Sequence, residues 1–335
     1  MDYIGGNFAS TDNDVFFSKV DFKYFDTIFP PKKNELQVNF FETGADALAS
    51  IIKEISFTCN EIKLWFPDNY CLDTINRILF KLHIKTFNKY YLIEEISEDR
   101  LITNVIIALH FNRFDKMLME SIRKKKTNKF LIIEDFVHSP FEISNFGGDY
   151  AFNSLRKISN LEIAIAYKNT HTDLTNDETN YYTLKKRAAT LKTDFFNNGN
   201  KEIEKQYLDL FLKAEESLKN GFINPCLSKE FNKVNFFDFI KIKLIRKKNY
   251  DHLKSLLENN KNIEILPGDY MFLMLKTSRR DDLKKHLATH RIFSPIHWAD
   301  SGSQMSYSIL SIPIDQRYTE QDMNRVADII LKFAS

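Results

Sequence analysis

Cysteine is scarce: the chain of 335 residues has three, Cys59, Cys71 and Cys226, odd in number and far apart. That argues against a disulfide framework or a zinc site and suits a reducing compartment. Long apolar runs are missing too, and no run reaches the ~18 residues of a membrane span. Charge is balanced, with 47 Lys and Arg against 45 Asp and Glu for a net charge of +2. Neither nucleic acid nor an anionic membrane is therefore indicated as a partner. The basic run IRKKKTNK (122–129) has no interleaved aromatic residues and reads as a solvated loop. The opening MDYIGGNFASTDND lacks the basic-then-apolar order of a signal peptide. Together these absences predict a cytoplasmic protein. Glycine is sparse, at 9 residues, so each one is a candidate for a required backbone shape.

What is present is 43% apolar sequence, arranged in short blocks. The length predicts two domains, drawn here as 1–225 and 226–335. TGADALASIIKEI (43–55) reads as a helix with Thr43 as N-cap and apolar residues at 45, 48, 51, 52 and 55. IKLWFP (62–67), IKTFN (84–88), VIIAL (105–109), FLIIE (130–134) and LEIAIAY (161–167) read as strands. LDTINRILFKLH (72–83) and FDKMLMESIRKK (114–125) read as helices. This alternation predicts an α/β domain with a mostly parallel sheet and helices on both faces. Residues 180–220 read as polar helix, with Gly221 closing the segment 201–221. From about residue 230 a small α+β unit follows. It has helices at 237–260 and near 279–289, strands at 263–266, 270–277 and 306–314, and a last helix at 319–334. Thr319 and Asp322 give that helix a capping-box start.

Ligands of open parallel sheets bind outside the carboxyl ends of the strands. Three segments fall there. FETGADAL (41–48) opens a helix, and the free N–H groups at Gly44 and Ala45 suit a phosphate. LIIEDFVHSPF (131–141) delivers Asp135 after an apolar strand, with His138 three residues on. NSLRK (153–157) puts Ser154 three residues before Lys157. Taken singly, each has a plain alternative: a helix start that binds nothing, a loop carboxylate and imidazole, and one more solvated lysine.

As an ordered set the segments resemble the fold-type I pyridoxal-phosphate enzymes, and among them the DegT-like sugar aminotransferases. The resemblance rests on TGADAL, LWFPDNYCLDTI, IIEDFVHSPF, GDYAFNSLRK, RIFSPIHW and SILSIPIDQRYTEQDM. It runs from about residue 4 to 333. It implies an aspartate aminotransferase-like large domain with a small C-terminal α+β domain, and pyridoxal 5'-phosphate as cofactor. Lys157 would be the Schiff-base lysine, and Asp135 the partner of the pyridine nitrogen. His138 would lie at the ring, with Gly44, Ala45 and Ser154 at the phosphate. The activity implied is amino-group transfer, with glutamate as donor, to a keto-sugar nucleotide in surface-polysaccharide biosynthesis. A homodimer with shared active sites is also implied, with residues 1–10 reaching the partner's site.

Two features depart from the family pattern. After Lys157 the family has a proline and a glycine turn, whereas this chain reads ISNLEIAI. In the turn PDNYCLD, Tyr70 is the candidate to stack on the cofactor, although Cys71 falls where a ring is expected. These departures leave open another pyridoxal-phosphate reaction, or a non-catalytic protein that keeps the fold. In dehydratase relatives a histidine replaces the lysine, and Lys157 argues against that variant. His297 and Trp298 are candidate substrate contacts or a packed corner. Arg317 is either a carboxylate fork or a surface ion pair.

Overall fold

The computed structural model describes residues 3–10, 37–96, 102–111, 115–125, 127, 129–167, 172–234, 237–268, 270–297 and 307–334. A short strand, β1 (Ile4–Gly5), lies apart from the central sheet. That sheet has seven strands: β2 (Val38–Phe41), β3 (Ile62–Pro67), β4 (Asn88–Tyr90), β5 (Thr103–Leu109), β6 (Phe130–Asp135), β7 (Tyr150–Ser154) and β8 (Ala164–Tyr167). Across the sheet the order is β2-β8-β7-β6-β5-β3-β4. Strands β3 to β7 pair in parallel, while β8 runs antiparallel to β7 and β2.

Both faces of the sheet are covered, as continuous apolar strands require. Successive side chains of β5 point to opposite faces. Val105, Ile107 and Leu109 enter a core shared with α1 (Gly44–Thr58) and α2 (Leu72–Leu82). Ile106 and Ala108 enter another, with Met119 and Ile122 of α3 (Asp115–Lys124). The chain then forms a helical hairpin, α4 (Asn180–Asn198) and α5 (Lys201–Ser217), followed by α6 (Ser228–Val234). The small α+β unit holds α7 (Phe239–Leu257), β9 (Glu264–Leu266), β10 (Phe272–Lys276), α8 (Arg280–Thr289), β11 (Ile292–Phe293), β12 (Ile309–Pro313) and α9 (Glu320–Ala334). β12, β10 and β9 make a three-stranded antiparallel sheet. No helix among the described residues is long and apolar enough to cross a membrane.

Several elements differ from the sequence reading. The strand expected at 84–88 begins only at Asn88. His83 ends α2 in the left-handed region, φ 53, and Ile84 N–H bonds back to the Leu79 carbonyl, so the helix end consumes these residues. The strand expected at 161–167 begins at Ala164, because the N–H groups of Leu161 and Glu162 are taken by the side chains of Ser159 and Glu230. β2 and β7 were not anticipated; each carries an asparagine, Asn39 and Asn153, that is nevertheless buried. Gly221 is not a C-cap. α5 ends at Ser217 with Leu218 as its C-cap, and a glycine that closes a helix is Gly199 after α4, φ 65.

The N-terminal segment folds onto its own chain. β1 pairs in parallel with β11, and Ile4 is part of the small-domain core. Gly5 has φ +93, and a Cβ there would lie 2.1 Å from the Phe293 carbonyl oxygen, so only glycine fits. Among the described residues of the segment expected at a partner's site, Ile4 and Gly5 pack against the small α+β unit, and Tyr3, Asn7 and Ser10 against α4.

A buried ion pair sets the start of α1. Thr43 accepts the Asp46 N–H as N-cap, and Asp46 lies 3.0 Å from Lys81 of α2 with both side chains almost fully enclosed. Asp46 also accepts the Asn224 N–H at 3.1 Å. Lys81→Ala is expected to destabilise the chain by about 3 kcal/mol, because removing one partner leaves the other buried and uncompensated. A urea-unfolding midpoint indistinguishable from that of the parent would contradict this.

Candidate active site

The carboxyl ends of β6 and β7 bring the chemistry together. β6 stops at Asp135, β7 stops at Ser154, and α1 begins at Gly44 just after β2. Gly44, Ala45, Tyr70, Asp135, His138, Ser154, Lys157 and His297 all line one cavity of about 340 Å³. That is ample for a small organic ligand, whose pockets run from ~300 to ~1,000 Å³.

Asp135 is aimed by its neighbour. Glu134, fully buried on the opposite face of β6, is gripped by Arg123 at 2.8 and 2.6 Å, by His110 at 2.8 Å, and by the N–H groups of Gly147 and Gly148. This clamp fixes the strand end, so Asp135 points into the cavity side. Its carboxylate accepts the Tyr70 hydroxyl at 2.6 Å and the Val137 N–H at 2.8 Å. Desolvation outweighs both and raises its pKa to about 6. A carboxylate so placed is stabilised by any cationic donor brought to it.

Lys157 follows β7 at the end of a single 3₁₀ turn, Leu155–Lys157. Its side chain is exposed by area, because it opens into the cavity. Protein nevertheless crowds it, and this desolvation, with Arg156 beside it, lowers the amine to about 8. Such an amine is far more often unprotonated near neutrality than an ordinary lysine, as a nucleophile must be. Next to it Glu215 of α5 is shared by Arg77 at 3.3 Å, Arg156 at 3.4 Å and Lys185 at 3.4 Å. Arg156 also donates to the Tyr181 hydroxyl at 2.7 Å, which in turn donates to Glu162.

The anion end of the cavity lies at α1. Gly44 and Ala45 line it, and Ser154 is 1% exposed with its Oγ lacking any hydrogen-bond partner. A buried hydroxyl without a partner is costly unless a ligand completes it. An oxyanion at a helix start would do so. Gly44 gives room for close approach, since a Cβ there would meet Val137 at 3.4 Å and Ser154 at 3.6 Å.

His138 and His297 face each other edge-on at 4.8 Å, with Phe111 against both. Desolvation, then the neighbouring charges, hold both imidazoles neutral. Trp298 lies outside the described residues. Arg317 does not face the first cavity. Its fork is filled by Asp315, Nε to Oδ1 and Nη2 to Oδ2 both at 2.8 Å, and its guanidinium stacks on Phe8 at 4.2 Å. Tyr70 spends its hydroxyl on Asp135 and its ring on Phe66 at 5.1 Å, while Cys71, the N-cap of α2, lines the cavity.

The missing glycine after Lys157 has a local explanation. No residue from 158 to 163 has a positive φ. Ser159 builds the turn instead, donating to the Leu155 carbonyl and accepting the Leu161 N–H. Ile158, Leu161 and Ile163 drive it into the core. Sequence reasoning passed over Arg77 and Glu215. Their one signal was an Asp73–Arg77 pair at i,i+4 on α2, which is ordinary on a helix surface. Among the described residues no His, Cys, Asp and Glu group is arranged to hold a metal ion.

No family model and no curated protein matches the chain. Solved structures do. DesI, determined with its TDP-sugar product, superposes with a TM-score of 0.60 at 10% identity, covering 93% of this chain and 83% of that one. The putative sugar aminotransferase Spr1654 of Streptococcus pneumoniae, in its PMP form, gives 0.57 at 11% identity, covering 98% and 92%. DesV of S. venezuelae, in complex with a ketimine intermediate, gives 0.58 at 12% identity, covering 99% and 91%. At such identities the likeness is one of fold, and the chain has the fold of the DegT-like sugar aminotransferases.

The amine of Lys157 should titrate near pH 8, whereas exposed lysines titrate higher. Competitive acetylation across an alkaline pH series, read by peptide mass spectrometry, reports this directly. An ordinary lysine midpoint at Lys157 would remove the basis for its assignment as a nucleophile.

Proposed function

We propose that the chain is a pyridoxal-phosphate-dependent aminotransferase acting on a keto-sugar nucleotide. The observation that carries this reading is one cavity that holds a lysine with a lowered pKa, a desolvated aspartate and a partnerless buried hydroxyl. Each fits a different part of the cofactor. Lys157 Nζ would hold its aldehyde carbon, Asp135 would accept a hydrogen bond from the protonated ring nitrogen, and Ser154 with Gly44 and Ala45 would hold the phosphate. The bound group supplies an amino carrier and an electron-accepting ring.

The chain's own residues do the rest. Asp135 would hold the ring nitrogen protonated, and would thereby gain the cationic partner its burial demands. Tyr70 and Val137 fix the orientation of that carboxylate. Lys157 Nζ, with its lowered pKa, would be the base that takes the proton from the substrate carbon. His138 and His297, held neutral, can both donate and accept hydrogen bonds and suit hydroxyl-bearing substrates. Structures with a TDP-sugar product and in the PMP form among those of similar fold support the sugar substrate and the amino carrier. Glutamate as donor and a role in surface-polysaccharide biosynthesis are part of the same proposal and rest on the motif resemblance alone.

Asp135→Asn should retain the fold and the absorption of lysine-bound cofactor, while transamination falls at least about a hundredfold, since a neutral amide cannot hold the ring proton. Lys157→Ala should lose both. Normal turnover in either variant would sink the assignment.

We also propose a homodimer. Large apolar side chains stand exposed on α2 and α5 and just after α5, at Phe80, Leu208, Leu212 and Phe222. Exposed apolar side chains of this size favour burial against a second copy. Light scattering should give twice the mass of 39.5 kDa, and Leu212→Arg should shift it toward monomer. A parent chain that stays monomeric at micromolar concentration contradicts the dimer.

A further inference from the structure

Glu42 is a buried carboxylate that the chemistry above does not use. It follows β2 directly and precedes Thr43, the N-cap of α1. It is 2% exposed. Three segments meet at it. The stretch 224–226 runs along β2: the Glu42 N–H bonds to the Asn224 carbonyl at 3.1 Å, and the Cys226 N–H to the Phe40 carbonyl at 2.9 Å. The Asn224 N–H is held in turn by Asp46 of α1 at 3.1 Å. On the remaining side stands Thr179, the N-cap of α4. It accepts the Tyr182 N–H at 3.0 Å and donates its hydroxyl to Glu42 Oε1. One carboxyl group thus sits in the joint between the β2–α1 turn, the start of the helical hairpin and the segment that leads to α6.

That group is only half satisfied. Among the described residues Glu42 Oε2 has no hydrogen-bond partner, and neither has Asn224 Nδ2. The charged and titratable groups that face Glu42 are Asp46 of α1, Lys81 of α2, Glu162 ahead of β8 and Cys226 ahead of α6. Of these Lys81 alone is a cation, and it is engaged by Asp46 at 3.0 Å and by the Phe222 carbonyl. Burial pushes the Cys226 thiol up to about 12, so near neutrality it carries no charge. An ionised Glu42 therefore stands beside two other carboxylates, out of water and without a cation of its own. Desolvation raises its pKa to about 7, against the opposing pull of the Thr179 hydroxyl.

We propose that Glu42 is a proton-operated latch at the start of α1. Protonated, it closes the joint among the β2–α1 turn, the first turn of α4 and residues 224–226; ionised, it loosens that joint. Gly44 and Ala45 lie just beyond it in sequence, so the latch positions the backbone at the anion end of the cavity. The effect belongs to the folded chain and needs no cofactor, so it stands or falls separately from the aminotransferase reading.

An unfolded chain releases the Glu42 proton at an ordinary carboxyl pH. The stability that the neutral form contributes is complete below that pH and is lost as pH rises through about 7. The experiment is urea unfolding of the full chain and of Glu42→Gln, whose amide keeps the shape and cannot ionise. Between about pH 6 and about pH 8 the unfolding constant of the parent should rise roughly tenfold more than that of the variant. Comparing the two chains cancels the titrations of Asp135 and Lys157, which both share. Hydrogen exchange read by peptide mass spectrometry places the effect. On the alkaline side of the transition, peptides spanning 38–48, 175–184 and 222–227 should exchange faster in the parent than in Glu42→Gln, and peptides of the small α+β unit should exchange alike. Thr179→Ala tests the latch from its other side. It removes the donor that favours the ionised form, so the pH at which stability is lost should move upward. Should Glu42→Gln not fold, the direction of this shift decides. Equal pH dependence in the parent and Glu42→Gln overturns the proposal, as does an unmoved or lowered transition in Thr179→Ala. Exchange differences spread evenly along the chain overturn it too, because the joint is then not what opens.

Discussion

Asp135 is a carboxylate taken out of water at the end of a central strand, and much of the surrounding architecture keeps it there. Burial raises its pKa to about 6 even though it accepts two hydrogen bonds. Backing it is Glu134, whose lowered pKa reflects His110 and Arg123 winning over its own burial. The two neighbouring carboxylates thus have opposite fates: one fully compensated and structural, the other held short of a partner. A residue left in that state within a cavity is a place where binding energy can be gained, because a cationic donor relieves the desolvation already present.

The same logic of incomplete satisfaction runs through this cavity and a second one beside it, of about 420 Å³, lined by Ser294 and Arg246. Ser154 and Ser294 are buried hydroxyls with no partner, one in each cavity. Arg246 is a buried cation among neutral acceptors. By contrast two buried carboxylates away from the cavities are closed. Asp46 is met by Lys81, Thr43 and Asn224, and Glu230 by Tyr182, Lys186 and Lys233. These two closed networks hold α1, α2 and the helical hairpin in register.

The fold was largely legible because β3, β5 and β6 carry short apolar runs separated by amphipathic helices. β2 and β7 escaped because buried Asn39 and Asn153 break the apolar pattern, and only tertiary contacts make those positions interior. Lys157, Asp135, Ser154 and Gly44 could be nominated from their order along the chain, and they do share one cavity. Glu215 and Arg77 could not, because their pairing joins α2 to α5 across 138 positions. The role of Tyr70 was also hidden: its bond to Asp135 spans 65 positions, and nothing local distinguishes it from a stacking ring. Replacement of the family's glycine turn by Ser159 and three buried aliphatic residues is a packing solution that no spacing rule would supply.

Mapping of the covalent link between cofactor and chain tests the central claim most directly. The full chain is incubated with pyridoxal phosphate, reduced with borohydride, digested and sequenced by mass spectrometry. The account requires a single modified lysine, Lys157, with Lys185 and Lys186 untouched. Modification spread over surface lysines, or a single site elsewhere, would contradict it.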